Sequence, residues 1–133
     1  MAELEAINRR NISRIESFFD SIFRETLSEN LFFGGLPNAI EKEWESVVTI
    51  DISNIVEKDG YGKGKAMIFL YAQCDTPGEK NVPVLSQLED TLNDIVLSSS
   101  DPDYHISIGR RFGDYDAIND MFYNVVELNL IIT

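Results

Sequence analysis

Residues 64–74 read GKAMIFLYAQC. In an extended chain Ala66, Ile68 and Leu70 point to one side and Met67, Phe69 and Tyr71 to the other, so both faces are apolar. A strand of this kind is covered on both sides. Whatever fold contains it must supply two covers, and the rest of the sequence is read for them. Immediately upstream, DGYGKGK (59–65) carries the Asp-Gly pair of a tight hairpin. Before that, SVVTIDISNIV sets Val48, Ile50 and Ile52 against Thr49, Asp51 and Ser53, which predicts a strand over about 46–54 with one wet face.

Two helices are available as covers. In ELEAINRRNISRIESFFDSIFRETL the apolar residues Ile12, Ile15, Phe19, Ile22 and Phe23 recur at helical spacing, predicting a helix over about 3–27. Gly34, Gly35 and Pro37 end that run, and the LFF beside them is expected to tuck against the body. The second helix, about 83–98, carries Leu85, Leu88, Leu92 and Ile95 on one stripe, with Asn81 placed to cap it and Pro83 in its tolerant first turn. YHISIGRRF and MFYNVVELNLII predict two more strands, over about 104–112 and 121–132, with Tyr104, Ile106 and Ile108 inward.

The sequence therefore predicts a single α+β domain over 1–133, of order α-β-β-α-β-β. Its four-stranded, mainly antiparallel sheet carries both helices on one face. Two such helices leave the other face bare. Met67, Phe69 and Tyr71, together with Met121, Tyr123 and Val125, are expected there as an apolar contact patch.

Eleven Lys and Arg stand against 23 Asp and Glu, a net charge of −12. Such a surface repels nucleic acid and an anionic lipid leaflet. The single Cys74 has no partner for an internal disulfide, as expected of a chain folded in a reducing compartment. Residues 1–15 lack the apolar core of a signal peptide, and no run is long enough for a membrane span, so the expectation is a soluble intracellular chain.

Candidate sites are few. Gly60, Gly62 and Gly64 alternate ahead of a strand, whereas a phosphate loop needs fixed glycine spacing ahead of a helix. DYDAIND offers oxygens from Asp114, Asp116, Asn119 and Asp120. However, the sixth and twelfth positions of a calcium loop begun at Asp114 would hold Asn119 and Val125 instead of Gly and Glu, so the segment reads as a turn. His105 is the lone histidine, on the wetter side of its strand, and nothing in the pattern brings it to Cys74 or a serine. Trp44 suits a core or an interface equally. No enzyme, cofactor or metal is expected.

Three pieces together resemble a known family. They are the amphipathic N-terminal helix, KGKAMIFLYAQCDTPGEKNVPVLSQLEDTLNDIV running strand to loop to helix, and DYDAINDMFYNVVELNLIIT running from acidic turn to last strand. This order is similar to the tail terminator, tail-completion and neck proteins of long-tailed bacteriophages and prophages. The resemblance implies a structural subunit that self-associates into a ring, often a hexamer, between tail-tube and neck proteins, with Gly60 and Gly62 of the hairpin at or near subunit contacts. DNA passes through such a ring without specific binding, and the subunit is found in the host cytoplasm during assembly and then in the virion tail. The alternative is a monomeric acidic binding protein, a DNA mimic or an inhibitor of a basic host protein.

Overall fold

A computed structural model describes residues 2–133. The elements run α1 (Ala2–Arg9), α2 (Ile12–Phe23), β1 (Leu31–Phe33), β2 (Ser46–Ile52), β3 (Val56–Lys58), β4 (Tyr61–Gln73), α3 (Val82–Ser98), β5 (Tyr104–Asp116) and β6 (Met121–Ile132). The class is α+β, but the expected four-stranded sheet of order α-β-β-α-β-β is corrected to a six-stranded mixed sheet with three helices. Its strands lie in the order β1-β2-β4-β6-β5, with β3 also paired to β4.

Each departure has a local cause. The N-terminal helix divides because the Asn11 side chain accepts a hydrogen bond from the Ser13 backbone N–H (2.9 Å) and starts α2 afresh. LFF is a strand, too short to show periodicity, and it lies parallel to β2 with Leu31 beside Val48. β3 is equally short and is folded onto β4 through the Asp59-Gly60 turn, where Gly60 adopts φ +85.

The two-sided strand is β4, which pairs antiparallel with β2 on one side and with β6 on the other. Its Ala66, Ile68 and Leu70 join Val48 and Ile50 of β2 and Val126, Leu128, Leu130 and Ile132 of β6 under the helices. From above, α2 contributes Ile15, Phe18, Phe19 and Phe23, and α3 contributes Leu88, Leu92 and Val96. Within α3, Leu85 is also buried and Ile95 is half-buried at the stripe's margin. Asn81 caps α3, accepting from Val84 N–H at 3.4 Å, and Pro83 sits in the first turn.

Parallel neighbours cannot be joined by a tight turn, because the chain must travel back to the starting end of the sheet. The segment 34–45 between β1 and β2 makes that return, and it brings Leu36, Ile40 and Trp44 onto the face opposite the helices. There they pack with Phe32 against Val47, Tyr71 and Met121. Hence the wet face that alternation suggests for β2 survives only at its far end: Val47 and Thr49 are buried with Val48 and Ile50, while Asp51 and, just past the strand, Ser53 are exposed.

Candidate functional site

Register places the second face in rows across the sheet. Val47, Tyr71, Tyr123 and Asp114 form one, and Thr49, Phe69, Val125 and Phe112 the next. Below them lie Asp51, Met67 and Glu127. Phe69, Tyr71 and Tyr123 form an aromatic cluster with ring centroids 4.8–6.4 Å apart. The crossover closes the upper end of this face, so Tyr71 and Met121 are buried, while Met67, Phe69 and Tyr123 stay half-buried and Phe112 is 49% exposed. Those last four make an open strip that reaches the β5 edge of the sheet. Burial, then the neighbouring Tyr123 and the carboxylates of Asp116 and Asp51, push the Tyr71 hydroxyl up to about 12.

The other interface candidates are dispersed. Gly60 is at the exposed hairpin turn, whereas Gly62 lies under Arg10 and Ile55 on the helix side. Phe112 escaped the sequence reading because β5 carries a bulge between Ile108 and Arg111. One extra residue there reverses which positions face the helices. Alternation counted through Ile106 and Ile108 would put Phe112 on the helix side, and the bulge puts it on the other.

Glu127 lies below the strip, buried in mid-strand. The Lys65 ammonium stands 3.0 Å from one carboxylate oxygen and the Arg110 guanidinium 3.0 Å from the other. These hydrogen bonds hold its carboxyl below the usual carboxylate range. Both cation heads remain exposed, so they border the apolar strip with positive charge on an otherwise acidic chain.

The acidic tip of the β5–β6 hairpin is occupied by its own turn. Asp116 accepts from the Ile118 and Asn119 backbone N–H groups (3.0 and 3.1 Å) and from the Asn119 side chain (2.8 Å). Asp120, at φ +49, accepts from the Tyr115 hydroxyl at 2.7 Å. Among the described residues no three His, Cys, Asp or Glu side chains converge as metal ligands. Burial, then the Asp120 charge, push the Cys74 thiol up, away from the reactive thiolate. His105 is exposed low on the second face, paired with Ile131 in a row far from Cys74 at the other end of β4. No described helix is long and apolar enough to cross a membrane. Compared by sequence, the chain matches no protein-family model and no curated protein.

Proposed function

We propose that this chain is a structural subunit of a phage or prophage tail, one that joins copies of itself in a ring at the tail end between tail-tube and neck proteins. The observation that carries the reading is the strip of Met67, Phe69, Tyr123 and Phe112, apolar surface that the helices do not reach and the crossover covers only in part. Exposed contiguous patches of this kind mark contact surfaces. The run from β4 through a loop into α3 and the acidic surface add support, since a ring through which DNA slides must not hold phosphate.

The test mixes the protein with tube subunits encoded beside its gene and images the products by electron microscopy. Tubes capped by a ring of this chain are expected, and Phe69→Glu is expected to abolish the caps while leaving the circular dichroism spectrum intact. Tubes that never acquire the protein, with a strict monomer that binds a basic host protein, would favour the acidic-inhibitor alternative instead.

A further inference from the structure

The sheet has two edges, and they are finished differently. At the β1 edge the Arg24 guanidinium donates to the Leu31 carbonyl oxygen at 3.3 Å and to that of Glu29 at 3.2 Å, which caps the strand. β5 runs for 13 residues along the other edge, and among the described elements only β6 pairs with it. The Asp103 carbonyl accepts from Thr133 N–H (3.0 Å), which fixes the alternation. Tyr104, Ile106 and Ile108 turn their backbone groups outward, and beyond the bulge Arg111, Gly113 and Tyr115 do so. Tyr104 N–H is satisfied by Asp101 and Tyr115 N–H by Asp114 (3.0 and 2.8 Å), which leaves the backbone of Ile106 and Ile108 open before the bulge and that of Arg111 and Gly113 open after it.

The side chains on this open stretch are self-complementary. RRFGD places two cations and then an acid around Phe112. We infer that β5 pairs antiparallel with β5 of a second copy about a two-fold axis at Phe112, making one continuous sheet. In that register Arg111 and Gly113 exchange backbone hydrogen bonds with Gly113 and Arg111 of the other copy, and each Arg110 stands opposite an Asp114. The two Phe112 rings meet on the second face and join the two open strips. Neighbouring registers are worse: one residue pair toward the N-terminus opposes Arg111 to itself, and one toward the C-terminus needs the Tyr115 N–H that Asp114 already holds. The bulge at Gly109 and Arg110 limits the pairing to this short window, so the contact is a weak one.

A two-fold pair is closed and makes no ring by itself, so this contact is distinct from the proposed ring although Phe112 lies in the strip on which that reading rests. The test uses the full chain in a Cys74→Ser background. Opposed residues of a non-hydrogen-bonded antiparallel pair lie about 4.5 Å apart at Cα, within disulfide reach. Mild oxidation of Phe112→Cys is therefore expected to give a covalent dimer an order of magnitude faster than Ile131→Cys, an exposed position on the same face. Concentrated wild type should weigh twice its 15.1 kDa, Asp114→Arg should lose the dimer, and Arg110→Asp with Asp114→Arg should regain it. Equal cross-linking at the two cysteine positions, or one-chain mass at millimolar protein, would overturn the pairing. A ring on tail tubes without the Phe112→Cys cross-link would also overturn it while leaving the tail reading intact. The cross-link with bare tubes would sink the tail reading and keep the pair.

Discussion

Replacing Trp44 with alanine tests whether the crossover seals the upper end of the second face. Full removal of a buried Trp or Phe side chain costs about 3–5 kcal/mol, but Trp44 is only part-buried, so the lower part of that range is the ceiling. Its tilted pairing with Phe32 (centroids 5.9 Å apart) is one component, typically about 0.5–1.5 kcal/mol. The crossover's end stays pinned to β4 by Gln73, whose backbone N–H donates to Glu45 O (3.0 Å) and whose side chain donates to Glu41 O (3.2 Å), so the segment should loosen without detaching. The net expectation is a loss of about 2 kcal/mol, or roughly 8 °C in melting temperature for a chain of this size. A second readout is specific to the site: Tyr71 sits in the cluster Trp44 covers, so its hydroxyl should titrate below about 12, toward an ordinary tyrosine. Melting followed by circular dichroism and tyrosinate absorbance against pH measure the two effects. If the variant melts with wild type and Tyr71 titrates unchanged, the crossover is not a cover and the open strip is larger than described.

Leu92→Ala, at the centre of the α3 stripe, should cost about 3 kcal/mol by urea denaturation, and an unchanged midpoint would remove α3 from the core. Asp116→Ala removes three hydrogen bonds from an exposed turn and should cost about 1 kcal/mol, with calcium leaving the melting temperature of wild type unmoved. Because the carboxyl of folded Glu127 lies below its ordinary value, its contribution is present above that value and declines as pH falls through the depressed one. Glu127→Gln should flatten stability over that acid range, and parallel acid profiles for the two proteins would contradict the assignment. Gly64→Val should destabilise β4 by about 1–3 kcal/mol, since even a Cβ there meets the tip of the Ile55 side chain and must displace it from the core it packs against, and a variant as stable as wild type would contradict this.

The parts of the fold legible in the sequence are those decided by local periodicity. Ile68 and Leu70, Leu128 and Leu130, and Leu88 and Leu92 each repeat at the spacing of their own element, and all lie in the main core. β1 and β3 were not legible because three residues cannot display a period, and their strand state comes from neighbours remote in sequence. The second face divides along the same line. Met67, Phe69 and Tyr123 follow from alternation alone. The burial of Tyr71 and Met121 depends on a crossover set by the parallel pairing of β1, a tertiary fact without a local signature.

The bulge in β5 is the point where sequence pattern and surface diverge most. RRFG interrupts the alternation of YHISI, and strand prediction stops at residue 112 although the strand continues to Asp116. The interruption redirects the strand instead of ending it. By absorbing one residue it turns Arg111 toward α3, where its guanidinium donates to Asn93 at 3.3 Å, and it turns Arg110 and Phe112 to the opposite face. Arg110 thereby reaches Glu127, and Phe112 extends the aromatic strip to the sheet's free edge. Had the alternation run on unbroken, Phe112 would lie beneath α3 and the strip would end at Val125 in the sheet interior. The open apolar surface and the open backbone edge coincide because of that one extra residue. Deleting Gly109 should therefore remove the bulge yet leave Phe112 opposite Val125, because Ile108, Arg110, Arg111 and Phe112 then alternate without a break, and a Phe112 found on the helix side of that variant would refute this account of the strand.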